Sequence, residues 1–249
     1  HLCSDSLTMA TTTINATLQG VNAVSLSSAS AISWVATIRD AASGSYTNTF
    51  STNVVFPGAV AVVYTLTKNI YFAECFRTFL FFDLSSVGGT ITAATLKVLA
   101  GTPGNTYDVQ VVPSTAWGGN GTTTTLAAGD YDGVEFNGTT GSNYGSILSW
   151  TASSYNDITL TSDAISDMNS DGYLNCALLD QDNDYKGIAP TLGTEISYPI
   201  EFLDATNPIK LEITYTPAGW NDNVNGVANA SIANVMGVTE SSIAGINGT

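Results

Sequence analysis

The stretch Phe76–Val98, with the sequence FRTFLFFDLSSVGGTITAATLKV, decides the fold class. It overlaps two runs of β-branched and aromatic residues, Thr78–Phe82 and Thr95–Leu99, and a segment rich in Ser and Gly lies between them. Residues of the first kind favour strands, whereas Ser and Gly favour turns. The stretch therefore predicts two strands joined by a turn.

The same alternation of short apolar runs and turn residues continues from about residue 28 to residue 216. Lys210 and Thr214 alternate with Leu211, Ile213 and Tyr215, as expected of a half-buried strand. Many short strands separated by turn signals indicate a sandwich or a jelly roll. Further strands are predicted at Ile32–Ile38, Val60–Thr67, Tyr107–Val112, Asp157–Leu160, Tyr173–Leu178 and Lys210–Tyr215.

Three segments follow from this pattern. Residues 28–216 are predicted to form an all-β jelly-roll sandwich, with one helix that Ser162 and Asp163 cap and that ends near Gly172. Residues 1–27 are rich in Ser, Thr, Ala and Asn and are interpreted as an extended N-terminal arm, with a frayed terminus as the alternative. Residues 217–249 form a C-terminal tail.

The tail repeats itself every 11 residues. A period this short is not a domain, and a segment with so few large side chains cannot support its own core. We therefore expect the tail to bury its apolar residues against another unit or another chain, and a trimer is our expectation for the oligomer. The positions in register are Val224, Val235 and Ile246, together with Ile232 and Ile243.

Composition limits the classes of partner. The 249 residues include 6 Lys and Arg against 21 Asp and Glu, a formal net charge of −15. Such a chain repels nucleic-acid phosphates, whose binding needs clustered cations. The sequence has no basic amphipathic stretch and no apolar run long enough for a spanning helix, so nothing in it indicates a membrane partner. Cys3, Cys75 and Cys176 have no metal-site spacing and allow at most one disulfide.

Several segments together resemble the DNRLRE-type domains. In that family an Arg precedes an apolar strand ending in Phe-Asp, and a Thr-Ile…Ala-Thr-Leu strand follows. The corresponding residues are Arg77, Phe82, Asp83, Leu84, Thr90, Ile91, Ala94, Thr95 and Leu96. Downstream, LAAGDYDG (126–133), YNDITL (155–160), ISDMNSDGY (165–173) and EFLDATNPIKLEITY (201–215) occur in the expected order. Leu203-Asp204-Ala205 departs from the Ser-Ser-Glu turn that often precedes the last strand.

This resemblance implies a jelly roll grouped with carbohydrate-binding modules, of the kind found in secreted bacterial proteins and viral structural proteins. The tail resembles the short Val-Asn-Gly-Val-Ala repeats at the ends of phage virion proteins, with Asn234 where a Lys is usual. Together they imply a non-enzymatic virion structural protein: a capsid-decoration, fibre or tail-associated subunit at the virion surface. Its partners would be other virion subunits or copies of itself. The alternative is an extracellular carbohydrate-binding module, and host-surface glycans are compatible with both.

Arg77 and Asp83 lie six residues apart on one face of a predicted strand. Because the chain has few cations, we expect a structural ion pair between them, with a ligand-binding arginine as the alternative.

Asp180, Asp182 and Asp184 alternate in a loop that ends at Gly187. Oxygen ligands at this spacing can bind Ca²⁺, although Thr191 stands where an EF-hand has Glu. The alternative is a solvated acidic turn.

Five aromatic side chains are candidates for stacking on sugar rings if they are exposed, and otherwise belong to the core. They are Trp117, Trp150, Tyr144, Tyr155 and Tyr185.

Catalysis has little support in the sequence. His1 is the only histidine and is terminal, which disfavours a Ser-His-Asp triad or a His-ligated zinc centre. No phosphate loop or dinucleotide fingerprint is present. We therefore expect a protein without catalytic residues or a cofactor, apart from the Ca²⁺ considered above.

Overall fold

The computed structural model describes residues 9–50, 56–99, 108–134, 143–148, 151, 153–202, 208–218, 234–235 and 238–239. Strands dominate these residues, and every strand pair is antiparallel. The strands are β1 (Ala10–Asn15), β2 (Leu18–Ser28), β3 (Tyr46–Phe50), β4 (Phe56–Thr67), β5 (Ile70–Asp83), β6 (Gly89–Leu99), β7 (Val109–Pro113), β8 (Gly145–Ile147), β9 (Tyr155–Thr159), β10 (Tyr173–Asp180), β11 (Thr194–Phe202), β12 (Lys210–Pro217), β13 (Asn234–Val235) and β14 (Val238–Thr239).

Two sheets pack face to face, which confirms the predicted all-β sandwich. The first sheet has the strand order β1-β12-β6-β9. The second has the order β11-β4-β5-β10-β7-β8, and β2 and β3 extend it along the other edge of β5. The chain crosses repeatedly between the sheets, as it does from β5 to β6 to β7.

Strand β5 explains why the FLFF run is apolar at every position. Leu80 and Phe82 point into the core between the sheets, where strands β6, β10 and β12 also contribute buried side chains. Phe79 and Phe81 point to the opposite face, which is covered by the loop around Trp117. A strand buried on both faces reads as a continuous hydrophobic run rather than an alternating one.

Short helical turns and one loop cover this outer face of the second sheet. They are the π-helical turns Trp34–Arg39 and Gln181–Tyr185, the 3₁₀ turn Ala128–Tyr131, and the loop Trp117–Gly121, in which Gly118 and Gly119 have positive φ angles. The strand predicted at Ile32–Ile38 is therefore wrong, and a helical turn occupies this position. Trp34 and Ile38 are both buried there, because residues four apart share one face of a helical turn.

The predicted helix is confirmed as α1 (Ser162–Asp171). Thr161 is its N-cap residue, and Gly172 ends it in a left-handed conformation with φ of 74°. Only glycine adopts this conformation without steric cost.

The N-terminal segment differs from the expectation. Residues 10–28 are extended, but they form β1 and β2 inside the two sheets rather than an arm outside them. The sandwich therefore begins at Ala10, not near residue 28, and residues 1–8 lie outside the described part. Val21 of β2 is buried in the core between the sheets, and Val24 is buried in the separate apolar cluster that contains Trp34 and Ile38. The low aromatic content of this segment did not indicate such burial.

Candidate functional site

Arg77 is fully buried on the outer face of the second sheet, beneath the helical turns. Its Nε and Nη2 donate to the two carboxylate oxygens of Asp184, at 2.9 and 2.7 Å. Its remaining donors reach the carbonyl oxygens of Tyr131 and Arg39, and the guanidinium lies 3.8 Å from the centre of the Tyr131 ring. Burial lowers the pKa of Arg77, but the charge and hydrogen bond of Asp184, together with Tyr131 and Cys75, raise it by more, so the pKa stays above its ordinary value.

This buried ion pair ties three surface turns to strand β5. Arg39 adds a second link, because its Nε donates to the carbonyl oxygen of Asp184 at 2.5 Å. Trp34 adds a third, with its indole nitrogen 2.8 Å from the carbonyl oxygen of Asn183. Each donor is used for another part of the same chain, so the arrangement holds the fold together and leaves the guanidinium no face for a ligand.

The ion pair predicted between Arg77 and Asp83 is therefore corrected: the arginine is structural, but its partner is Asp184. Asp83 lies at the exposed end of β5, and its carboxylate accepts a hydrogen bond from the backbone N–H of Ser85 at 2.9 Å. That hydrogen bond lowers the pKa of Asp83. Arg77 and Asp83 share a face of β5, but Arg77 is fully buried whereas Asp83 is exposed to solvent.

The Ca²⁺ site predicted from Asp180, Asp182 and Asp184 is not formed. Asp180 accepts a hydrogen bond from the backbone of Asn183, which caps the turn, while Asp182 pairs with Lys186 at 2.8 Å on the surface. Asp184 points inward to its arginine partner. Each carboxylate thus has a different partner, and the described residues contain no group of three or more His, Cys, Asp or Glu side chains placed to hold a metal ion.

The aromatic residues considered for sugar stacking are not exposed platforms. Trp117 and Tyr144 are buried. Tyr155 and Tyr185 are half-buried: the first bonds the carbonyl of Pro208 and has the Lys210 ammonium over its ring, and the second packs on the apolar cluster around Trp117. Trp150 lies outside the described residues.

The thiols of Cys75 and Cys176 are free and buried. Burial raises the pKa of Cys176 to about 12 and that of Cys75 well above its ordinary value. Both are therefore unreactive in the folded protein. Cys3 lies outside the described residues.

Of the repeat-tail positions, Val235 lies in β13, which pairs with β14 in a short antiparallel ladder. The other four, Val224, Ile232, Ile243 and Ile246, lie outside the described residues.

A cavity of about 480 Å³ opens between the end of α1 and the loop that follows β7. Asp167 and Asp171, from the C-terminal half of the helix, line the cavity together with Tyr173 and Asn175 from the outer face of β10. The Tyr173 ring stacks on Phe81 with centroids 5.3 Å apart. The rest of the lining is Pro113, Ser114, Thr115, Gly118, Gly119, Asn120, Tyr144 and Leu174.

The carboxylates of the cavity differ in how firmly they are held. Asp167 is half-buried and accepts a hydrogen bond from the Tyr144 hydroxyl, which fixes its position. Asp171 is exposed at the rim and accepts one from Ser170 at 2.8 Å. Burial, and then the charge of Asp171, raise the pKa of Tyr173, so its phenol stays protonated and remains a donor.

The chain matches no protein-family model and no curated protein. The resemblance to the DNRLRE-type domains therefore stays a prediction that depends on the residues quoted for it.

Sequence reasoning missed the cavity altogether. Asp167 and Asp171 are four residues apart in the predicted helix and so share a face, which was a readable signal. Their proximity to Asn175 and to the loop after β7 was not readable, because it depends on how β7 and β10 pair.

Proposed function

We propose that this chain is a non-enzymatic structural subunit of a virion, a capsid-decoration, fibre or tail-associated protein that assembles through its terminal segments. The virion assignment is carried by the sequence resemblance of the sandwich and of the repeat tail. The geometry supports assembly through one end of the molecule.

The observation that carries this proposal is the pairing of the first and last strands of the sandwich. Ala10 at the start of β1 lies opposite Tyr215 near the end of β12, in an antiparallel ladder. Residues 1–8 and the tail from residue 219 therefore start from the same end of the sandwich. A single neighbouring subunit can engage both segments there, while the opposite end stays free for the particle exterior.

The surface chemistry agrees with a subunit whose contacts are not charge-driven. Charged residues make up 11% of the chain, well under the usual value of about 25%. Of the few cations, Arg77 is used inside the fold and Lys97 pairs on the sheet surface with Asp157 at 2.8 Å. Among the described helices, none has the length and apolar character needed to span a bilayer.

The carbohydrate-binding alternative gains no support from the aromatic side chains that suggested it, since those that the structure describes are buried or half-buried. We therefore propose only the structural role.

The test compares the full chain with a version ending at residue 218, by light scattering after size exclusion and by electron microscopy of the assemblies. We expect the full chain to form a discrete oligomer, and the shortened chain to be a folded monomer with the same unfolding temperature. A full chain that stays monomeric at all concentrations would contradict the proposal.

A further inference from the structure

Strand β1 forms one edge of the first sheet, and among the described strands its one neighbour is β12. Just beyond β1, Ala16 donates its backbone N–H to the carbonyl oxygen of Ile209 at 2.9 Å and continues the same ladder. Successive residues of an antiparallel strand point their backbone groups alternately toward the partner strand and away from it. The even-numbered residues of β1 therefore bond to β12, and the backbone N–H and C=O groups of Thr11, Thr13 and Asn15 point to an open edge.

This open edge lacks the charges, prolines, bulges and shortness that normally prevent a sheet edge from pairing with another chain. Strand β1 has the sequence ATTTIN, contains no charged residue or proline, and stays in register with β12 over its whole length. At the other edges, β8 has only 3 residues, and a loop borders β3, since the backbone N–H of Leu126 donates to the Thr49 hydroxyl at 2.8 Å. The remaining edge strands carry charged residues or a proline, which are Asp157 in β9 and Glu195, Pro199 and Glu201 in β11.

The apolar core is also incompletely covered at this edge. Thr12 and Ile14 lie on the core side of the sheet, and both are half-buried. Their partners on β12, Ile213 and Leu211, have no solvent exposure. A further strand beside β1 would therefore bury apolar surface as well as pair the open backbone groups.

The first sheet is electrically neutral, although the whole chain has a formal net charge of −15. Its strands contain two lysines and two carboxylates. Lys97 contacts both carboxylates, 2.8 Å from Asp157 and 3.9 Å from Glu212, and Lys210 lies opposite Lys97 on the next strand. Two acidic copies of this chain repel each other, but this sheet contributes no net charge to the repulsion. A second copy can therefore approach the open edge of β1.

We propose that the open edge of β1 accepts a strand from the repeat tail, residues 219–249, of a second copy of this chain. The proposal rests on the assembly role proposed above and names the surface that receives the tail. A strand added to a sheet edge gains main-chain hydrogen bonds, and its alternate side chains can cover the core. Two short pieces of the tail, β13 and β14, are strands already. The tail contains Asp222 and Glu240 but no Lys or Arg, so little charge opposes its pairing with β1.

The path of the chain favours a neighbouring copy over the same one. Strand β12 ends beside the start of β1, where Ala10 lies opposite Tyr215. A tail that turned back directly would therefore run parallel to its own β1, whereas every described strand pair is antiparallel. When extended, residues 219–249 span up to roughly 100 Å, which is enough to reach the edge of a neighbour.

The first experiment compares three full-length chains by light scattering after size exclusion: the wild type, Thr13→Pro and Thr13→Val. The proline removes an N–H that the fold does not use and blocks the open edge, whereas valine keeps the N–H and the β-branched shape. We expect the wild type and Thr13→Val to form the same oligomer, and Thr13→Pro to be a monomer with a similar unfolding temperature. A Thr13→Pro chain that forms the wild-type oligomer overturns the inference and leaves the proposed assembly through the terminal segments intact. A monomeric wild type contradicts both.

Amide hydrogen exchange in the wild-type oligomer, read residue by residue, tests the inference without a variant at the edge. Unpaired edge amides exchange quickly, whereas amides paired in a ladder exchange slowly. We expect Thr11, Thr13 and Asn15 to exchange as slowly as Thr12 and Ile14, which β12 protects in any case. Fast exchange at the first three beside slow exchange at the other two overturns the inference. Slow exchange at all five in a monomeric chain assigns the added strand to the same copy and overturns the assignment to a neighbour.

A full-length double variant identifies the tail as the occupant. Ile232→Asp/Ile243→Asp places charges at two tail positions that are in register and should abolish the slow exchange at Thr11, Thr13 and Asn15. If the slow exchange persists in an oligomer of this variant, two β1 edges pair with each other, and the assignment of the tail is overturned.

Discussion

Replacement of Asp184 by Asn is the sharpest test of how this fold is held together. The substitution preserves size and the backbone carbonyl that Arg39 uses, but it removes the charge that faces Arg77. Both side chains of the pair have no solvent exposure, so water cannot take the place of the lost carboxylate. Breaking a buried pair from one side costs about 3–5 kcal/mol.

A loss of this size is a large part of the total stability of a domain, which is about 5–15 kcal/mol. We therefore expect the free energy of unfolding to fall by about 3–5 kcal/mol in urea, with an unchanged denaturant slope. For a domain of this size the corresponding fall in Tm is about 6–20 °C. The double variant Arg77→Met/Asp184→Leu should lose less than the sum of the two single variants, because neither charge is then left unpaired.

The matched control is Asp182→Asn in the same turn. Asp182 pairs with Lys186 on the surface, where both side chains are about half exposed, and such pairs contribute about 0–1 kcal/mol. If Asp184→Asn costs no more than Asp182→Asn, the buried pair does not hold the turns to β5 and the reasoning is refuted.

Three other outcomes follow from the structure. The pKa of Cys176 is about 12 when folded against an ordinary value of 9.0, so its thiol ionises first in the unfolded chain. The free energy of unfolding should therefore fall as pH rises from about 9 to 12, by up to about 1.4 kcal/mol per pH unit from this group. The variant Cys176→Ala should show a smaller dependence of the unfolding free energy on pH in this range. An unchanged dependence in denaturation measured at several pH values would contradict this. Gly172→Ala should lower the free energy of unfolding by about 1–2 kcal/mol, because only the backbone conformation is strained. Gly121→Ala should lower it more, because the added Cβ would lie 2.5 Å from the Phe81 ring. Equal losses of stability in urea unfolding would count against this. Finally, Ca²⁺ or a chelator should leave the Tm unchanged, since the carboxylates of the 180–184 turn already have partners; a Tm that rises with Ca²⁺ restores the metal site.

The sandwich was predictable because its signal is local. Strand β12 shows the alternation of Leu211 and Ile213 with polar residues, and both side chains are buried as predicted. Helix α1 was predictable from a polar start and a glycine stop. Such patterns reflect the burial of one face, which a strand or helix carries in its own sequence.

The wrong predictions concern features that depend on contacts between residues far apart in the sequence. Asp184 is 107 residues from Arg77 in sequence, and the two meet only because β4, β5 and β10 form one sheet with its turns folded over it. Asp83 lies only six residues from Arg77, but a short separation along the chain is a poor guide to contact in space. Residues 10–28 were misassigned for a related reason, since their small side chains gain burial only through the neighbouring strands.

The pairing of β1 with β12 has a mechanical consequence. Because the two terminal segments leave at the same end of an antiparallel pair, forces that draw them apart load the hydrogen bonds between the strands one after another, from Ala10 and Tyr215 inward. Such loading peels a ladder open, whereas sliding the strands along each other would load all its bonds together. If both terminal segments are anchored in one neighbouring subunit, tension pulls both segments in the same direction and the sandwich moves as a rigid body. Anchors in two neighbours that move apart would instead open the sandwich at its first strand.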